Sequence, residues 1–198
     1  MQIKSYVGID EAGRGPLAGP VAVGVVVVPG SFDWQSKLPG VTDSKKLSEA
    51  KREEFFEMAK HLKKAGELDY TVAMVSAKVI DREGIVRAIA RAMARTIKRL
   101  KLDPKEVFIK LDGSLKAQRE YKQQTIIKGD LTEPEISLAS IMAKVTRDRY
   151  MTRIAAQPSF APYAFHIHKG YGTQAHREVI MKKGLSVEHR TTYCKNLT

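Results

Sequence analysis

The chain has 198 residues, 43% of them hydrophobic and 28% charged, with 34 Lys and Arg against 22 Asp and Glu for a formal net charge of +12. That length suits one domain, or one with a small appendage, burying roughly 70% of the surface its unfolded chain exposes, and the composition excludes a disordered or fibrous polymer. The basic balance points to a polyanionic partner, nucleic acid or an anionic membrane surface, although a generally basic solvated surface gives the same count. The longest apolar run, Val21 to Val28, ends at Pro29, well short of the ~20 residues a membrane-spanning helix needs. The first ten residues lack the features of a signal peptide. The single Cys194 excludes an internal disulfide and a four-cysteine zinc site, and a reducing cytoplasm is the expected setting.

Ser5 to Asp10 reads as a short strand and Val21 to Val28 as a buried one, because β-branched residues in short apolar runs favour the pleated sheet. The Gly- and Pro-rich stretch between them, Asp10 to Pro20, is a shaped loop. Ser48 caps a helix whose apolar positions Phe55, Ala59 and Leu62 recur at helical spacing and which Gly66 ends. Tyr70 to Ser76 alternates as a third strand. Ile85, Ile89, Met93, Ile97 and Leu100 line one face of a helix that stops before Pro104. Val107 to Asp112 and Thr125 to Lys128 are the fourth and fifth strands, each delivering a carboxylate, Asp112 and Asp130. A helix runs from Pro134 to Ile154, Gln157 to Tyr163 is a loop, and a last helix spans Ala175 to Lys183. With no internal repeat and no long linker, the pattern predicts an α/β architecture, a mixed sheet flanked by helices.

Asp10, Glu11, Asp112 and Asp130 are thus expected at strand ends along one sheet edge. Crowded carboxylates repel, and a hard divalent cation such as Mg²⁺ or Mn²⁺ relieves that repulsion through oxygen ligation; two such ions ~4 Å apart support phosphodiester hydrolysis. Taken singly, Asp112 or Asp130 reads more readily as a turn cap or a surface charge. Gly13-Arg14-Gly15 fails the dinucleotide-loop pattern, since Gly19 follows at the wrong spacing and Pro16 and Pro20 interrupt any helix. It reads better as bare backbone lying against a sugar–phosphate chain, with Arg14 adding a charged contact. Lys45 and Lys46 are suited to phosphate, or are solvated surface. Tyr171, between two glycines, is either a ring offered for stacking or one packed in its loop. His166 and His168, at alternate positions of an extended segment, are weak zinc candidates.

Gly8-Ile-Asp-Glu-Ala-Gly-Arg-Gly-Pro16, Asp43-Ser-Lys-Lys-Leu47, Leu111-Asp-Gly113, Lys128-Gly-Asp130, Ser140-Ile-Met-Ala-Lys-Val-Thr-Arg-Asp148 and His168-Lys-Gly-Tyr-Gly-Thr173, in that order, closely resemble the type 2 ribonuclease H family. The resemblance runs to His189-Arg190. It implies a ribonuclease H-like mixed sheet over residues 1–155 and a C-terminal helical extension over 156–198 that helps grip a duplex. It also implies metal-dependent endonucleolytic hydrolysis of the RNA strand of RNA–DNA hybrids, with incision 5′ of a single ribonucleotide in duplex DNA, leaving 5′-phosphate and 3′-hydroxyl ends. Asp10, Glu11, Asp112 and Asp130 then match the catalytic metal-binding carboxylates, Gly13, Arg14 and Gly15 the loop that senses the ribose 2′-hydroxyl, and Tyr171 the tyrosine at the RNA-to-DNA junction. The 2′-hydroxyl is the group that tells RNA from DNA at one nucleotide. Type 3 enzymes usually carry Gly-Lys-Gly where this chain has Gly-Arg-Gly, and a long N-terminal domain. Leu138 and Tyr193 depart from the family's usual residues without touching the proposed chemistry. No C-terminal sliding-clamp box is found, a monomer is expected, and the compact form looks bacterial. The competing expectations are another ribonuclease H-like nuclease, acting on DNA or on a strand end, and a hybrid-binding protein without catalysis, whose affinity would fall steeply with salt.

Overall fold

The computed structural model describes residues 3–197. Five strands, β1 (Ser5–Ala12), β2 (Val21–Pro29), β3 (Asp69–Val75), β4 (Val107–Asp112) and β5 (Lys122–Ile126), form one sheet in the order β3-β2-β1-β4-β5. β1, β2 and β3 pair antiparallel, whereas β4 and β5 run parallel to β1, so the sheet is mixed, as the sequence predicts. The helices are α1 (Trp34–Lys37), α2 (Glu49–Lys64), α3 (Ala77–Glu83), α4 (Ile85–Leu100), α5 (Gly129–Thr132), α6 (Pro134–Ala155), α7 (Phe165–His168) and α8 (Gln174–Lys183). Among the described residues, no helix is long and apolar enough to cross a membrane.

Period-two alternation sorts each strand between two cores. Val7, Ile9, Val23, Ile109 and Leu111 meet the Ile89, Met93 and Ile97 stripe of α4 on one face. On the other, Val26 and Val28 meet Phe55 and Ala59 of α2 and Leu138, Ile141 and Met142 of α6. α6 lies against the sheet backbone itself: a Cβ on Gly8 would sit 2.1 Å from the Glu135 carbonyl oxygen, and one on Gly24 2.3 Å from that of Ala139. A larger residue at either position would lift the helix that roofs the site.

The structure departs from the sequence reading in several places. β1 continues two residues beyond Asp10, because Glu11 and Ala12 still pair with Val23 and Ala22; Asp10 and Glu11 therefore lie within the strand and project to opposite faces. Ser76 leaves β3 and stands at the N-cap of α3, a helix the apolar pattern does not announce, with Gly84 at φ 79° separating it from α4. β5 begins at Lys122 rather than Thr125 and ends at Ile126. As an edge strand it needs no continuous apolar run, and its start is fixed by the Gln123 side chain, which bonds the backbone of Ala117 and Gln118. Asp130 consequently sits in the one-turn helix α5, not at a strand end. The loop expected over Gln157 to Tyr163 holds a 3₁₀ turn at Ala161–Tyr163. His166 and His168 fall on α7, not on an extended segment.

The residues after α6 pack back on the loop joining β1 to β2. Ala18 shares a core with Met151, Phe160, Tyr163 and Phe165, and Leu17 shares one with Ile180 and Cys194. The backbone follows: Leu17 N–H donates to the Gly170 carbonyl at 2.9 Å, Arg190 N–H to that of Leu17 at 2.7 Å, and Gly19 N–H to that of Glu188 at 2.8 Å.

Candidate active site

β1 and β4 are parallel neighbours whose last paired residues are Ile9 and Leu111, so Asp10 and Asp112 follow one another's level on adjacent strands. Both project to the α6 face, away from the core that holds Ile9 and Leu111. Asp10 is 4% exposed, and its Oδ1 accepts the Glu11 N–H at 2.7 Å. Burial, reinforced by the Glu11 and Asp112 charges and opposed by the Ser140 hydroxyl on α6, pushes the Asp10 carboxyl up to about 8. Asp112 Oδ1 accepts the Gly129 N–H at 2.8 Å, which ties the start of α5 to the end of β4.

Asp10, Glu11 and Asp112 open into one cleft of about 240 Å³ that is also lined by Gly13, Arg14, Gly15, Ser44, Lys45, Ser140, Lys144 and Tyr171. Asp130 stands beside this cleft, buried, with Oδ2 taking the Lys45 ammonium at 3.2 Å. Lys45 is thereby bound to an acid as well as poised at the cleft; burial disfavours its charge, but Asp130, Asp43 and Asp10 outweigh that and raise its pKa. Lys46 is exposed and does not line the cleft. The Arg14 Nε donates to Glu11 Oε1 at 2.8 Å. Tyr171 is 44% exposed, and its ring lies 5.7 Å from the Lys144 ammonium and 5.8 Å from the Arg147 guanidinium. It is therefore a presented ring rather than one packed in its loop. His166 is exposed, while His168 is committed to the Tyr163 carbonyl and the Gly170 N–H, so the pair does not face a common ligand.

Two buried arginines hold the glycine loop from beneath. Arg147 donates from Nε to the Pro20 carbonyl at 2.9 Å and from Nη2 to Ala18 at 3.1 Å. Arg190 donates from Nη2 to Gly13 at 2.6 Å, from Nη1 to Arg14 at 2.9 Å and from Nε to Gly19 at 3.0 Å. Burial lowers both guanidinium pKa values, that of Arg190 to about 10. Their charge is offset by carbonyl dipoles rather than a bidentate carboxylate, which leaves the loop a positive underside. Gly13, at φ 92°, admits this packing: a Cβ there would lie 2.2 Å from Arg147 Nε.

Sequence reasoning assigns no role to Arg147, Arg190, Ser140 or Lys144. Arg147 had a signal, since it stands four residues from both Ala143 and Met151 on an otherwise apolar stripe of α6, which marks a buried cation. Arg190 is marked only as the end of the family resemblance, since it lies in no regular element whose period would show that it is buried.

The family model described as ribonuclease HII matches residues 7–196. The chain belongs to the ribonuclease HII family. A Caldicellulosiruptor bescii ribonuclease HII is 44% identical over 96% of this chain and 86% of its own. Among solved structures, ribonuclease H2 from Pyrococcus horikoshii OT3 superposes with a TM-score of 0.72 at 26% identity, covering 98% of this chain and 96% of that one. The ribonuclease HII of the Archaeoglobus fulgidus PCNA complex gives 0.74 at 28%, covering 97% and 96%. Membership makes the protein an endoribonuclease of ribonuclease H type 2, metal-dependent and acting on RNA–DNA hybrids.

The donor set fits a hard divalent cation. Asp10 and Asp112 offer carboxylate oxygens on one sheet face, and Asp10 is a buried acid that an adjacent cation would convert to its charged form. Among the described residues, no three acidic, His or Cys side chains are drawn together as a ligand group.

Proposed function

We propose that this ribonuclease hydrolyses the RNA strand of RNA–DNA hybrids and incises 5′ of a single ribonucleotide in duplex DNA, with Asp10, Glu11, Asp112 and Asp130 holding two divalent ions, Mg²⁺ or Mn²⁺. The observation that carries this reading is the cleft itself, where buried Asp10 and half-buried Asp112 on two adjacent strands face a bare glycine backbone and an exposed tyrosine. When bound, the cations supply charge neutralisation and an activated water for in-line displacement at phosphorus, leaving 5′-phosphate and 3′-hydroxyl ends.

The remaining tasks fall to the chain's own groups. A Cβ on Gly15 would meet nothing within 4 Å, so a ribose can approach this backbone closely, and the Gly13-Arg14-Gly15 loop reads its 2′-hydroxyl. Tyr171 stacks at the junction from ribonucleotide to deoxyribonucleotide. Lys45 and, more weakly, Lys46 attract phosphates, with Lys45 also holding Asp130 in place. Residues 156–198 extend the 1–155 core and grip the duplex. The enzyme acts as a monomer in the cytoplasm, in ribonucleotide removal from DNA and RNA primer removal.

The test is incision of an end-labelled DNA duplex containing one ribonucleotide, beside an all-DNA duplex, with Mg²⁺, Mn²⁺ or chelator. One cut 5′ of the ribonucleotide, only with metal, is expected. Binding without a cut would favour a hybrid-binding protein, and cutting of all-DNA duplex a different nuclease.

A further inference from the structure

The half-exposed ring of Tyr171 has the Lys144 and Arg147 cations beside it, and its position depends as well on the backbone that carries it. That backbone is pinned from behind by three imidazoles in contact. His176 Nδ1 lies 2.8 Å from the Tyr171 carbonyl, His176 Nε2 lies 3.0 Å from His189 Nε2, and His189 Nδ1 lies 2.9 Å from the Ser186 backbone nitrogen. His168 stacks on His176 at 4.2 Å between centroids, with Nε2 at 2.8 Å from the Tyr163 carbonyl and Nδ1 at 3.2 Å from the Gly170 nitrogen. The buried Phe165 ring meets all three imidazoles, two of them edge-on.

The partners fix every proton. A carbonyl only accepts and a backbone N–H only donates. His176 therefore carries its hydrogen on Nδ1 and gives it to Tyr171, while its bare Nε2 accepts from His189. His189 carries its hydrogen on Nε2, with Nδ1 accepting from Ser186. His168 donates from Nε2 and accepts on Nδ1. Each ring is used on both nitrogens, so a second proton on any of them would set two N–H groups head to head. Burial works in the same direction, holding His176 and His189 down at about 4 and lowering His168. The titratable groups facing the rings are one another, Tyr163 and, from α7, His166.

We propose that the His189–His176 relay, buttressed by His168, is a positioning device that sets the Tyr171 backbone, and hence the angle of its ring, for recognition of the ribonucleotide junction. This rests on the reading of Tyr171 given above. The chain of bonds runs from the Ser186 turn after α8, through two rings, to the residue whose side chain enters the cleft. It gives the segment beyond α6 a direct mechanical hold on the recognition edge.

The experiment measures the ratio of cleavage rates on a lone-ribonucleotide duplex and on a long hybrid for wild type, Tyr171→Ala, His176→Phe and the double variant, together with ring ¹⁵N spectra of the wild type. His176→Phe should lower the ratio by roughly tenfold, as a small misplacement of a contact group does, and the double variant should be no worse than Tyr171→Ala, since coupled residues are not additive. His176→Asn, whose amide can replace the Nδ1 donor, should recover most of the ratio. His189→Asn, which removes the donor to His176 but keeps an acceptor for Ser186, should lower it even if His176→Phe fails to fold. The spectra should show His176 protonated on Nδ1 and His168 and His189 on Nε2. The opposite tautomers, or an undiminished ratio in His176→Phe or His189→Asn while Tyr171→Ala lowers it, would overturn the relay. An unchanged ratio in Tyr171→Ala itself would remove the reading of Tyr171 and the proposal with it, whatever the tautomers.

Discussion

The two walls of the cleft are built in different ways. The acidic wall is a product of regular elements: Asp10 and Asp112 are placed by the β1–β4 register, and α6, packed on the sheet backbone, covers Asp10. The opposite wall, formed by the glycine loop and Tyr171, has almost no regular structure and is placed by side chains from far along the chain. Arg147 reaches back 127 residues to Pro20, and Arg190 reaches back 177 to Gly13. Chemistry that needs a few fixed acids can rely on a sheet, whereas a surface that must follow the shape of a sugar–phosphate chain is moulded loop by loop. The difference predicts that damage to the first wall abolishes turnover, while damage to the second alters what is cut and how firmly the fold holds.

The largest effect should come from the first wall. Asp10→Asn should lower kcat by about 10³-fold or more, ~4 kcal/mol of barrier, while hybrid affinity measured by fluorescence anisotropy stays within a few fold of wild type. Next is Arg190→Met, which strands the carbonyls of Gly13, Arg14 and Gly19. It should cost about 3 kcal/mol of stability, read as a lowered urea midpoint.

The pH dependence of stability separates the walls again. His176 and His189, at about 4 when folded and 6.5 ordinarily, stay bare in the fold while the unfolded chain takes up their protons. Each therefore makes stability fall as pH drops from 6.5 towards 4. Asp10, raised from 3.8 to about 8, acts oppositely, since the fold holds a proton the unfolded chain has released. Two histidines outweigh one carboxyl below 6.5, and only Asp10 remains between 6.5 and 8. Metal-free protein should accordingly be most stable near neutrality, by thermal melts across this range, and Asp10→Asn should remove the decline above it. The smallest effect should be at the lysines: Lys45→Ala should raise KM several-fold, and Lys46→Ala should fall within the scatter of an exposed charge, ~0–1 kcal/mol.

What the sequence made readable follows the same division. Val107 to Asp112, the Ser48-capped helix and the α4 stripe are local patterns, and the structure keeps them. Asp130 was found by its motif but misplaced, because a polar edge strand carries no apolar period and β5 ends before Lys128. α3 was missed because Ser76 and Gly84 break a segment too short to show a stripe. The arginines under the glycine loop bond carbonyls 127 and 177 residues away, partners that no local spacing encodes, and the histidines behind Tyr171, though near it in the chain, meet through turns that follow no regular period.

The central claim is that the two walls do separate jobs, and single-turnover rates of Tyr171→Ala on a lone-ribonucleotide duplex and on a long hybrid test it most directly. The account predicts that the first rate drops by about tenfold, ~1.4 kcal/mol, while the second changes little. Equal losses on both substrates would contradict it, because Tyr171 would then contribute only affinity and the second wall would not discriminate.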